Sequence, residues 1–145
     1  MGGFKLNTDG ISKDYGAKAR GGGIIRDSNG CWVGGFVIHI GACDPVGAEL
    51  WAFLQGISLA WSKGIHNLIV EVDSSLVADW MNKKSVCKSI HANLVSACLD
   101  LLQNWWDVKI KHVFREMNQV ADSLANIVFA FAVRIHVLDE MPSDT

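Results

Sequence analysis

At 145 residues, half of them apolar and with a formal net charge of −2, the chain has room for one domain with a proper core. No apolar run reaches bilayer-spanning length, and Met1-Gly2-Gly3-Phe4-Lys5 lacks the apolar stretch of a signal peptide. A soluble intracellular protein, nuclear or cytoplasmic and without a membrane partner, is therefore expected. The acidic balance speaks against a general nucleic-acid binder, but four acids gathered at a cation site would leave +2 elsewhere, so charge does not decide. Cys31, Cys43, Cys87 and Cys98 contain no CxxC pair, which argues against zinc and a disulfide framework. Four reduced, mostly buried thiols are expected.

In chain order, Phe4 to Asp9 alternates with period two, a strand ending at Asp9-Gly10. Residues 11–20 are polar and suggest a loop or ragged hairpin. Gly21 to Asp27 reads as a second strand, with its glycines allowing close strand packing rather than a phosphate loop, since no Lys-Ser/Thr follows. Ser28-Asn29-Gly30 is a turn, and Cys31 to Ile40 a third strand. Ala48 to Lys63 is helical through Leu50, Leu54, Ile57 and Trp61, and Gly64 closes it. Glu49 falls in the expected first turn, where an acid also suits the helix dipole.

His66 to Asp73 is a nearly continuous apolar run, suited to a strand buried on both faces in a parallel sheet. A strand, a helix and a strand make a crossover, which implies parallel neighbours. Asp73-Ser74-Ser75 caps a helix over about 76–83, and as an N-cap Asp73 would need no chemistry. Lys83, Lys84 and Lys88 form a basic connection, either solvated or touching phosphate. Ile90, Leu94, Ala97, Leu101 and Trp105 predict another helix, and Asp107 to Val113 a fifth strand. Met117 to about Val133 is expected as the last helix, buried through Val120, Leu124, Ile127, Val128 and Phe131.

The order β-β-β-α-β-α-α-β-α predicts an α/β domain over residues 1–138, with a frayed tail over 139–145. Its mixed five-stranded sheet has three antiparallel strands, then parallel strands, with helices on both faces. Ligands gather beyond the carboxyl ends of parallel strands. Asp9 and Asp73 would end two such strands, about 4.8 Å apart if these are neighbours. Glu49 and Asp122 can reach the same edge. His112 precedes Asn118 by six residues, and Asn118 precedes Asp122 by four, which gives the last two one helical face. Four carboxylates together raise one another's pKa unless a hard cation balances them. Two ions about 3.5–4 Å apart could cleave a phosphodiester.

With these residues placed, the chain resembles the ribonuclease H family of type 1, most closely its plant branch related to reverse-transcriptase-bearing retroelements. The resemblance rests on Leu6-Asn7-Thr8-Asp9-Gly10, on Gly22 to Gly30, on Ala48-Glu49-Leu50-Trp51-Ala52, on Val70-Glu71-Val72-Asp73-Ser74 and on His112 to Asp122. It implies a ribonuclease H-like fold and cleavage of RNA paired to DNA with two Mg²⁺ ions (or Mn²⁺). Asp9, Glu49, Asp73 and Asp122 match its metal-binding acids, and His112 its mobile histidine. Gly10 and the Glu49 region match positions that contact RNA 2′-hydroxyls. Asn118 shares the His112 motif. Ser75 replaces a longer Gln at a substrate-contacting position, and the connection with Lys83, Lys84 and Lys88 is shorter than the basic protrusion of some members. The implied partners are an RNA–DNA hybrid and, in relatives, a larger polyprotein or partner domain; the chain itself is expected to be a monomer. The alternative is a catalytically silent retroelement descendant that binds nucleic acid or protein. A 3′-exonuclease fits less well, because Asp9 is followed by Gly10-Ile11 and no Asp-x-Glu pair forms.

Overall fold

The computed structural model describes residues 3–105, 107–114 and 135–140. Phe4–Lys13 forms β1, Lys18–Arg26 β2 and Trp32–Gly41 β3. The first strand thus runs beyond Asp9, and the polar stretch after it is the distal half of a hairpin. Its turn holds Asp14, Tyr15 and Gly16 at positive φ. At the next turn, Asp27 accepts hydrogen bonds from the backbone N–H groups of Asn29 and Cys31, each 2.9 Å. Gly21 and Gly23 serve close packing: an added Cβ would lie 2.9 Å from the Ala52 methyl and 2.4 Å from the Phe36 ring, respectively.

Pro45–Ser62 forms α1, three residues earlier than the periodicity predicts. Asp44 accepts from the Gly47 N–H at 2.7 Å, and Pro45 supplies the preset φ of a first helical position. The buried stripe is Leu50, Phe53, Ile57 and Ala60, all fully buried, whereas Trp61 is half-exposed. Trp61 meets Trp105 edge-on at 5.2 Å instead. Each buried Leu, Ile or Phe contributes about 1.5–3 kcal/mol. His91 Nε2 lies 3.0 Å from the second Asp44 oxygen, tying the start of the third helix to the first. Asp44→Ala is expected to lower stability by about 1 kcal/mol through loss of the cap; an unchanged urea midpoint would count against this assignment.

Asn67–Val72 forms β4, Ser75–Met81 α2, Ala92–Leu102 α3, Asp107–His112 β5 and Ile135–Leu138 β6. The sheet order is β5-β4-β1-β2-β3-β6. The crossover through α1 does not set β4 beside β3; it carries the chain back across β2 to the far side of β1. There β4 pairs in parallel with both β1 and β5, as a strand apolar on both faces should. The sixth strand, antiparallel to β3, adds to the five expected. Asp139, expected to begin a frayed tail, accepts a hydrogen bond from the Trp32 indole at 3.0 Å. Ile90 is 90% exposed and precedes α3 rather than joining its stripe.

Alternation along the strands separates two apolar clusters. Leu6, Ile25, Phe36, Ile38 and Val70 pack with α1, α2 and α3, while Ile24 and Val37 lie on the opposite face. The helix expected over 117–133 lies outside the described residues. Among the cysteines only Cys98 is fully buried; Cys31 is exposed and the other two are intermediate, all four as free thiols. No helix among the described residues is long and apolar enough to cross a membrane.

Candidate active site

The last pair of the β1–β4 ladder is Asn7 with Glu71. Two residues further along each chain stand Asp9 and Asp73, on the same face by alternation. The strands diverge in length here: β4 stops at Val72, while β1 continues to Lys13, held by β2 on its other side through Asp9–Gly22. Asp9 therefore sits mid-strand, not at a strand end, beside the point where its parallel neighbour leaves the sheet.

Glu49 arrives from α1. The helix can settle on β1 because Gly10 has no side chain: a Cβ there would lie 2.2 Å from the Ala48 carbonyl carbon and 2.5 Å from the Glu49 nitrogen. One carboxylate oxygen from each of Asp9, Glu49 and Asp73 lies within 4.8 Å of the others. Asp9 is fully buried, Glu49 nearly so, and Asp73 partly open.

The simpler explanations of these acids lose their geometry. Glu49 is the fifth residue of α1 rather than part of its first turn, and the capping role belongs to Asp44. Asp73 does not cap α2; Ser74 does, accepting from Val77 N–H at 3.2 Å.

Burial, a hydrogen bond shared with Asp9, and the charges of Asp9 and Asp73 push the Glu49 carboxyl from 4.5 up to about 10, against a smaller opposing backbone hydrogen bond at Gly10. The folded state thus holds this proton more tightly than the unfolded chain. In metal-free protein the resulting stability is full below pH 4.5 and is lost as pH rises toward the folded value. The melting temperature in EDTA is accordingly expected to fall between pH 5 and 8 more steeply than in a Glu49→Gln variant. Parallel slopes would remove Glu49 as the source.

His112 is the last residue of β5, in register with Val72. Its Nε2 lies 3.2 Å from the Asp73 carbonyl oxygen. Glu49, Asp73, Ser74 and His112 line a cleft of about 330 Å³, walled by Pro45, Val46, Val113 and Phe114. Ser75, the first residue of α2, adjoins this lining. Gly10 is buried against α1. Lys83, Lys84 and Lys88 are exposed between α2 and α3 and do not line the cleft. Asn118 and Asp122 lie outside the described residues.

Two features escaped the sequence reading. Glu71 is a further buried acid, accepting from Asn7 Nδ2 at 3.0 Å, with Lys5 Nζ 3.5 Å from its other oxygen. The signal for it was a carboxylate inside an apolar strand, which needs a partner. Phe114 stands at the cleft wall with 74% exposure, and no periodic pattern marks it.

The family model described as reverse transcriptase-like matches residues 7–128. The chain belongs to this family. The matched span contains Asp9, Glu49, Asp73, His112, Asn118 and Asp122. An Arabidopsis thaliana protein named "Putative ribonuclease H protein" is 38% identical over 142 residues, 98% of this chain. The chain spans 23% of that relative's length. RNase H1 from the archaeon Halobacterium salinarum NRC-1 superposes with a TM-score of 0.83 at 24% identity, covering 87% of this chain and 96% of that one. LC11-RNase H1, solved in complex with an RNA/DNA hybrid, gives 0.79 at 22% identity, covering 86% and 94%. The reverse transcriptase-like domain thus has the ribonuclease H fold, with its acids where β4 leaves β1.

Proposed function

We propose that this domain is an endonuclease that hydrolyses the RNA strand of RNA–DNA hybrids, using two divalent cations, Mg²⁺ or Mn²⁺. The observation that carries the reading is the convergence of Asp9, Glu49 and Asp73 within 4.8 Å on one largely buried edge. Carboxylates so close and so poorly hydrated are costly without a counter-charge, and three hard oxygen donors beside an open cleft suit such a cation. The substrate class draws support from the relative's name and from the structural neighbour bound to a hybrid.

Asp9, Glu49, Asp73 and Asp122 would hold the ions, which when bound supply charge stabilisation to the attacking and leaving oxygens of the phosphodiester. The protein's own part is to fix the donors and manage protons. Asp9 is immobilised in the strand, and Glu49, whose carboxyl holds its proton tightly in the metal-free protein, would have to lose it to serve as a ligand. When His112 donates from Nε2 to the Asp73 carbonyl, Nδ1 remains to exchange a proton near the leaving group. Gly10, Ser75, Asn118, Lys83, Lys84 and Lys88 are assigned to substrate contact, with the lysines on flanking phosphates. The chain acts as a monomeric unit, in the nucleus or cytoplasm and within a larger protein in relatives.

The test is cleavage of an end-labelled hybrid by purified protein in Mg²⁺, in Mn²⁺ and in EDTA. Cutting of the RNA strand that EDTA abolishes is expected. A folded protein that cuts in none of these ions would favour the second reading, a silent descendant binding nucleic acid or protein. The ten-residue α2–α3 connection, which carries only three lysines, Lys83, Lys84 and Lys88, for gripping a duplex and whose His91 lies against Asp44, favours that alternative.

A further inference from the structure

We infer that Phe114 is a sugar-contacting residue, forming the wall of the cleft against which one nucleotide of the bound strand lies. The inference rests on the nucleic-acid reading of the site and adds to it a position that the acids do not supply. Exposed apolar side chains are common singly and need no explanation. This one lines the same cleft as Glu49, Asp73 and His112. It is also held in place: the Val113 N–H donates to the Val72 carbonyl at 2.8 Å, so the backbone continues the sheet for one residue past β5. The Phe114 ring meets the His112 ring edge-on, with centroids 6.3 Å apart and planes at 61°. At 74% exposure most of the ring remains open.

The bases of a hybrid are paired and stacked, so the strand offers this wall its sugars and phosphates. A phosphate belongs with cations at the acids; a phenyl face, negative at its centre, favours the weakly positive C–H groups of a sugar. The ring is therefore placed to hold the sugar beside the phosphate being approached. The competing role is support of His112 alone, through the edge-on contact.

The test measures binding by fluorescence anisotropy of a labelled hybrid, in Ca²⁺ and in EDTA, with the full chain. Phe114→Ala is expected to weaken binding about three- to tenfold, the scale of one aromatic contact, while Phe114→Trp stays within about twofold of wild type. The loss is expected to persist when both proteins also carry His112→Ala, since a double-mutant cycle separates direct contact from support. Unchanged binding by Phe114→Ala, or a loss that disappears in the His112→Ala background, would overturn the inference. A wild-type protein that binds the hybrid here but does not cut it in Mg²⁺ or Mn²⁺ would remove the nuclease reading and leave this one standing. One that binds no hybrid would remove both.

Discussion

Asp9→Asn is expected to reduce metal-dependent cleavage by about a thousandfold or more, while making the metal-free protein more stable. Both effects follow from the same charge. Asp9 is fully buried with Glu49 and Asp73 within 4.8 Å, so its anion is unfavourable in the absence of a cation and serves as a ligand in its presence. The amide keeps the shape of the side chain and one acceptor oxygen, exchanges the other for a donor, and removes the charge. Relief of the repulsion should raise the melting temperature in EDTA by roughly 3–6 °C. The variant should also lose most of the stabilisation that added Mg²⁺ gives the wild type. Scanning calorimetry beside the cleavage assay checks all three. Retained cutting, or a melting temperature several degrees lower, would remove Asp9 from the role given to it.

Gly10→Ala is expected to be the most damaging glycine-to-alanine change among the described residues. The three atoms nearest the new Cβ are all backbone: Ala48 carbon at 2.2 Å, Ala48 oxygen at 2.3 Å and Glu49 nitrogen at 2.5 Å. No rotamer change relieves such contacts, so α1 must lift from β1, opening the core around Leu6 and Leu50 and withdrawing Glu49 from Asp9. A loss of about 3 kcal/mol or more is expected, at the upper end of overpacking effects. Gly30→Ala is the control. Gly30 has φ +81° and nothing within 4 Å of an added methyl, so only backbone strain applies, about 1 kcal/mol. Denaturant unfolding of the two variants should separate them clearly; similar midpoints would show that the helix yields more readily than its packing indicates.

Most of the strands and helices were legible because their patterns are local. The alternation from Phe4, the apolar run from Leu68 and the turn at Asn29-Gly30 each carry their signal within a few residues. The boundaries were less so. β1 and β2 extend through polar residues 11–20 because each supplies the other's hydrogen bonds, which hydropathy does not register. The start of α1 was misplaced because Asp44-Pro45, a cap and a first helical residue, was passed over for the apolar period that follows. The start of α3 was misplaced for the opposite reason: Ile90 fits the period but lies outside the helix. Asp9, Glu49 and Asp73 could be singled out by residue type and position. They meet at one sheet edge only on condition that β1 and β4 are neighbours, and nothing within any one segment says that β4 returns to lie beside β1; the resemblance supplies that condition.

That return has a kinetic consequence. β1 finds β2 across a short hairpin, whereas β4 and β1 stand about sixty residues apart along the chain. The three carboxylates are thus brought together only by a long-range pairing, and their mutual repulsion is felt in full only as that ladder closes. If the ladder closes after the main folding barrier, neutralising one acid would leave the refolding rate nearly unchanged and slow unfolding. A cation that requires all three donors would act in the same way, as a latch set on a structure already formed.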